Sequence, residues 1–215
     1  KDEAFLANLA KAQADAGADF IDVNAGVGHD ARENAPALME WLVDVVQGAT
    51  DRPLTIDSDD PVILEAALRK YHGDTVMINS VNAEPAKLEA VGPMAAESKA
   101  LLVALVVGEG GIPGTVEERL AASDLIMTHL TRLGVKEDQV LFDPLVLPIS
   151  VDTDQALVTL KTIEQIKSRY PSAGTVMGLS NISYGLPSRG IVNRAFLLMA
   201  AAAGLDAAIL DPLDP

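Results

Sequence analysis

The sequence predicts a (β/α)8 barrel, and three observations carry that prediction. Seven short aliphatic or β-branched runs alternate with longer segments of helical pattern, the rhythm of βα units around a parallel sheet. Gly follows the helical segments in "AGADF", "LGVKED" and "AGLDAA", as a left-handed helix cap leading into the next strand requires. Polar residues gather at the ends of six of the seven runs, which is where barrel enzymes carry their reacting groups.

Taken in order, the chain opens with "KDEAFLANLAKAQADAG", an amphipathic helix over 1–16. The runs "DFIDVN", "PLTIDS", "TVMINS", "LLVALVV", "VLFDP", "TVMGLS" and "AAILD" then read as strands. Helices are expected between them over 31–47, 61–71, 84–96, 115–133, 154–170 and 188–203, each near the length of a crossover. An eightfold barrel begins with a strand and ends with a helix, whereas here a helix comes first. Counted around the circle, one strand and one helix are missing. The expectation is therefore a single barrel domain over 1–215, part of a somewhat longer chain, lacking its first strand and last helix. An open doubly wound sheet is the competing fold, but it favours a Gly-rich phosphate turn after its first strand, and "NAGVGHD" only approximates one.

Composition narrows the function. The 215 residues carry a formal net charge of −15, which repels nucleic acid and anionic lipid and leaves neutral, cationic or small partners. No apolar run approaches the roughly 18 residues of a membrane span, and the start lacks the basic and apolar regions of a secretion signal. A cytoplasmic location is the expectation. The absence of Cys excludes disulfides and thiolate chemistry, and His29, His72 and His129 are too scattered for metal-ligand spacing. His29 reads as a solvated loop residue placed where a gate to the mouth would stand, and His72 and His129 as helix-surface residues.

The strand ends present Asp22 and Asn24, Asp57 and Ser58, Asn79 and Ser80, Asp143, Ser180 and Asn181, and Asp211. Any one of these alone reads as a helix cap or turn residue. Six ends converging on one rim are harder to assign to capping. Carboxylates mixed with amides suit a ligand rich in N–H donors, whereas a phosphate site would present Lys, Arg or a glycine nest. A fused heterocycle with an amino-substituted, lactam-like edge offers such donors in a planar fork, and pterins and purines both qualify.

The motifs "TIDSDD", "MINSVNAE", "FDPLVLPISVD", "GLSNISYGLPSR" and "VNRAFLLMAAAAGLDAAI" resemble the pterin-binding methyltransferase family. That family comprises the methyltetrahydrofolate:corrinoid protein methyltransferases and the folate domain of cobalamin-dependent methionine synthase. The resemblance runs from about residue 7 to 211 in order and spacing. It implies a barrel of the dihydropteroate-synthase-like type that holds tetrahydrofolate or its 5-methyl form at its C-terminal mouth. A corrinoid protein would dock over that mouth, and methyl would pass between the pterin nitrogen and cobalt. On matching positions Asp57, Asn79 and Asp143 would bond the pterin edge, and Gly178 and Ser180 would line the pocket. Asn181 would act at the methyl-bearing nitrogen as the catalytic residue. Arg189 matches an arginine at the same mouth. The resemblance also implies a homodimer, with cobalamin carried by the partner and no metal bound by the chain itself.

Two rival functions remain in view. Dihydropteroate synthase shares the barrel and its pterin-holding acids but expels pyrophosphate, and "FDPLVLPI" lacks its lysine while "AAILDPLD" ends in acids. A catalytically silent folate-binding or corrinoid-docking module is the other. The direction of transfer stays open, with "SYGLPSRGIVNRAF" and "DAAILDPLD" leaning toward the catabolic, demethylating type.

Overall fold

Alternating βα segments fold as their periodicities require. The computed structural model describes residues 2–26, 34–108 and 110–214. Helix α1 (Glu3–Asp15) is followed by β1 (Ile21–Asn24), α2 (Ala35–Gln47), β2 (Leu54–Asp57), α3 (Pro61–Lys70), β3 (Val76–Val81) and α4 (Pro85–Ser98). The chain continues through β4 (Leu101–Leu105), α5 (Val116–Arg132), β5 (Val140–Asp143), α6 (Gln155–Arg169), β6 (Gly174–Gly178), α7 (Arg189–Ala202) and β7 (Ala207–Ile209). Every strand pairs in parallel with its neighbour in sequence, in the order β1 to β7. This is the order of seven consecutive strands of a barrel, and it excludes the doubly wound alternative, whose strand order reverses at a switch point. Among the described residues the outer edges of β1 and β7 pair with no further strand.

The sheet turns aliphatic side chains toward the helices, and inward-facing apolar residues of β3, β4, β5 and β6 feed a second core. Ile21, Val23, Leu54, Ile56, Ile78, Leu102, Ala104, Val140 and Phe142 point outward and pack against the helices in one large buried cluster. Met77, Val103, Leu141 and Val176 point inward and pack with Phe20, Leu101, Leu105 and Ala207 to fill the barrel axis. A third cluster joins β6 to α7 through Met177, Leu179, Ile182, Phe196 and Ala200. A fully buried Ile, Leu or Phe contributes about 1.5–3 kcal/mol, so the outward face alone fixes which residues of each strand must turn inward.

Helix ends follow the sequence signals. Asp2 and Asp60 cap α1 and α3, and Thr115 with Glu118 forms a capping box on α5. The cap glycines Gly17, Gly134 and Gly204 all take positive φ, at 98°, 90° and 103°. His72 is not on a helix surface: α3 ends at Lys70, because Tyr71 is extended, and His72 is exposed in the following loop. His129 does lie on α5, with Nδ1 3.0 Å from the Leu125 carbonyl. His29 falls outside the described residues.

Gly134 isolates the cost of backbone conformation, since an added Cβ would meet only Ala96 Cβ at 3.9 Å. Gly134→Ala should lower stability by about 1–2 kcal/mol through the left-handed φ alone. Urea unfolding would check this, and an unchanged midpoint would show that the loop relaxes freely.

Candidate active site at the C-terminal mouth

Period-two alternation decides what the strand ends offer. With Ile21 and Val23 committed to the helices, Asp22 and Asn24 must face the barrel axis, and the same logic turns Asp57 and Asn79 inward. Parallel register then aligns Asn24 with Asp57 and Asp57 with Asn79 in one row across β1, β2 and β3. Asn24 Oδ1 accepts from the Gly26 backbone N–H, which orients the amide so that its Nδ2 donates to Asp57 Oδ2 at 2.7 Å. Asp57 Oδ1 has no hydrogen-bond partner among the described residues. The Asn79 amide lies on the same face and favours the ionised form of Asp22. A cavity of about 540 Å³ opens beside this row, lined by Asn24, Gly26, Met39, Asp57, Ser58 and Asp60 among others.

Asp143 closes the end of β5, opposite Leu105 of β4. Its Oδ1 accepts from the Leu145 N–H at 2.8 Å, and Oδ2 has no partner among the described residues. Beyond Gly178 the chain turns through a 3-10 helix, Leu179–Ser183, that carries Ser180 and Asn181 exposed at the rim. A Cβ on Gly178 would lie 3.5 Å from Asn181 Nδ2, so the amide folds back over the strand end. Arg189 is exposed at the start of α7 and reaches back to this turn. Its Nη2 donates to the Ser180 carbonyl at 2.8 Å and its Nε to Ser183 Oγ at 3.0 Å.

The acids are electrostatically strained by their setting. Desolvation, then the nearby Asp57 charge, pushes Asp22 up to about 7, against the influence of the Asn79 amide. Asp22 is itself exposed along the open β1 edge, so solvent moderates this rise. Burial also raises Asp57, with the Asn24 bond opposing it. Asp143 rises to about 6 through burial, restrained by the Leu145 N–H and the charge of Arg119. Perturbed carboxylates at the strand ends, with Asp57 lining the cavity, make this mouth the candidate site.

Not every polar strand end belongs to it. Ser58 Oγ accepts from the Asp60 N–H and Asp211 Oδ1 from the Leu213 N–H, so both are turn residues. Asp22 and Asn24 share the face of Asp57 and Asn79, and the alternation of "IDVN" with the outward Ile and Val was the signal that places them there.

With this geometry in hand, the profile of the family described as "Pterin binding enzyme" matches residues 2–211. The chain belongs to the pterin-binding enzyme family. Within it, the chain is 36% identical over 216 residues to a methylcorrinoid:tetrahydrofolate methyltransferase of Eubacterium limosum, covering 99% of this chain and 78% of that protein. It is 31% identical to a methionine synthase of Mycobacterium tuberculosis and 32% to that of Mycobacterium leprae, with 94% of this chain covered but only 18% of each synthase. Solved dihydropteroate synthases share the barrel. That of Coxiella burnetii, solved with pteroic acid, superposes with a TM-score of 0.73 at 15% identity, covering 96% of this chain and 79% of the synthase. That of Yersinia pestis, solved with a pterine–sulfa conjugate, gives 0.71 at 12%, over 94% of this chain and 80% of the synthase. At such identities these two structures speak for the fold alone.

The raised Asp22 fixes a sign for pH dependence. A carboxyl that holds its proton more tightly folded than unfolded opposes folding increasingly as pH rises from its unfolded value of 3.8 to about 7. Asp22→Asn should therefore raise the melting temperature near neutral pH, with the advantage vanishing by about pH 4. Thermal scans across that range check it, and a parallel offset at every pH would refute the titration of Asp22.

Proposed function

We propose that this chain moves a methyl group between tetrahydrofolate and the cobalt of a corrinoid carried by a separate protein. The observation that carries this reading is the acid and amide set at one barrel mouth. Asp57 and Asp143 each have one oxygen engaged by a protein donor, and their other oxygens are without a partner among the described residues. Such oxygens fit the N–H groups of a pterin's amino-lactam edge, with Asn79 beside Asp57 in the same register row. Family membership and the named activity of the Eubacterium limosum relative support the same reading.

In this reading Asp57, Asn79 and Asp143 hold the pterin, and Gly178 and Ser180 shape the opposite wall. Arg189 acts through the turn it clamps. Asn181 stands at the methyl-bearing nitrogen. A tertiary amine leaves poorly unless it gains positive charge or a proton as the bond to carbon breaks. An ionised carboxylate there would hold the ground-state cation as tightly as the transition state and so add affinity without rate. An amide can present its oxygen or its N–H and follow the changing demand. Asn181 is exposed on the rim turn, open to a second protein. The corrinoid would supply the cobalt that takes or gives the methyl group.

Asp57→Ala and Asp143→Ala should each weaken tetrahydrofolate binding by about 1.5–3 kcal/mol, the range for hydrogen bonds to charged groups. Titration calorimetry measures this, and parent-like affinity in both variants would remove the pterin from this mouth.

Asn181→Ala should lower methyl transfer to or from free cobalamin, followed by its absorbance, by about a hundredfold to a thousandfold with the fold intact. A loss of about 1 kcal/mol of stability with transfer unchanged would make it a turn residue instead. Folate uptake by the parent chain without any transfer would make the chain a binding module.

A further inference from the structure

A buried cation stands directly behind the mouth. Arg119, in the first turn of α5, has 0% of its surface exposed. An arginine withdrawn from water must place its N–H groups on acceptors. Its Nε donates to the Pro113 carbonyl at 3.1 Å and its Nη2 to Gln155 Oε1 at 2.7 Å. Nη1 reaches the carbonyls of Pro144 and Leu145, at 2.7 and 2.9 Å, and Thr159 Oγ1 at 3.2 Å. These five acceptors are uncharged, and four belong to the connection from β5 to α6 or to the start of α6. Thr159 Oγ1 also donates to the Leu145 carbonyl at 2.9 Å.

Leu145 is the link to the site. It takes a left-handed φ of 63°, rare for a leucine and maintained only where surroundings impose it. Its carbonyl is gripped by Arg119 and Thr159, and its N–H is thereby turned onto Asp143 Oδ1. We propose that Arg119 is a positioning residue for Asp143: it sets the Leu145 backbone so that one carboxylate oxygen is engaged and the other faces the pterin, and it supports the carboxylate's charge from behind. This rests on the reading of Asp143 as a pterin-binding residue.

The surroundings of Asp143 leave Arg119 as its charged support. From β4 it meets Leu105, and α6 contributes the neutral Gln155 and Thr159 near the guanidinium. Asp152, exposed in the β5 to α6 connection, accepts from Gln155 Nε2 on the far side. Burial raises the Asp143 carboxyl, and the Leu145 N–H and Arg119 oppose that rise. A neutral donor such as Gln could meet some of these acceptors without the expense of burying a charge. Support of an ionised carboxylate is what the charge adds.

The test is tetrahydrofolate affinity across pH, by anaerobic calorimetry, for the parent, Arg119→Gln, Arg119→Lys and Asp143→Asn. Loss of the positive charge should move the acidic limb of binding up by about one pH unit. Given a parent midpoint near 6, affinity would fall about fivefold near pH 6 and be unchanged above about pH 8.5. Arg119→Lys, which keeps a charge, should return the limb toward the parent. A limb that stays in place in Arg119→Gln, with a lower melting temperature or an equal loss of affinity at every pH, would overturn the proposal by making Arg119 purely structural. Asp143→Asn should weaken binding and abolish the limb. If it binds as the parent does, the pterin reading of Asp143 fails, and this proposal with it, by a result that no Arg119 variant can imitate. Should Arg119→Gln not fold, Thr159→Val loosens the same grip on Leu145, and 13C titration of the Asp143 carboxyl decides. A midpoint above the parent's supports the clamp, and an unchanged midpoint overturns it.

Discussion

The parallel register of β1, β2 and β3 is the constraint on which the mouth depends. It places Asn24, Asp57 and Asn79 side by side only because Val23, Ile56 and Ile78 face the helices in the same register. A slip of one residue in any strand would turn its acid or amide into the apolar layer and an aliphatic side chain into the mouth. At about 1.5–3 kcal/mol for each buried aliphatic side chain, the outer core enforces the site without any contact to it. Stability and site geometry are thus set by one alternation of side chains.

That arrangement concentrates negative charge over a dry interior. Met77, Val103, Leu141 and Val176 fill the axis beneath the rim, so the carboxyls of Asp22, Asp57 and Asp143 lose hydration from below. Amides between the acids, rather than cations, answer most of their demand. Asn24 donates to Asp57, and the Asn79 amide favours ionised Asp22, which lowers the cost of ionisation without neutralising the site. Asp22 at about 7 then titrates near neutrality, while Asp143 at about 6 is mostly ionised there.

The sequence makes the strands, the helices between them and the glycine caps legible because these depend on local periodicity. Asp57, Asn79 and Asp143 are visible for the same reason, as polar residues ending apolar runs. Arg119 is not. In "VEERLAASD" it follows Glu117 and Glu118 and reads as part of a solvated face, and its burial depends on acceptors as far as 40 residues along the chain. The contacts of Arg189 are hidden similarly, since position alone does not show whether it meets a ligand or the Ser180 carbonyl. Ser58 and Asp211 look like site residues in sequence, but each accepts from a backbone N–H two residues on, a bond that composition cannot distinguish from ligand binding. His72 falls off its helix because Tyr71 turns extended and sends its hydroxyl to the Thr75 carbonyl at 2.8 Å, closing the loop early.

The two sides of the mouth are built by different means, and the difference suits the roles proposed for them. Asp57, Asn79 and Asp143 stand on strand ends whose positions are fixed by sheet pairing and a packed interior, as recognition of a rigid heterocycle needs. Asn181 instead sits on an exposed 3-10 turn, with no Cβ at Gly178 beneath it. Arg189 ties that turn at the Ser180 carbonyl and Ser183 Oγ but leaves the Asn181 amide itself outside the clamp. A group that must exchange acceptor for donor while a bond breaks needs rotational freedom on a fixed base. An arginine behind each side, Arg119 at Leu145 and Arg189 at Ser180, holds backbone carbonyls rather than the acid and amide side chains. In the proposed reading, the cations that secure these backbone turns thus stand behind the acids and the amide rather than among them.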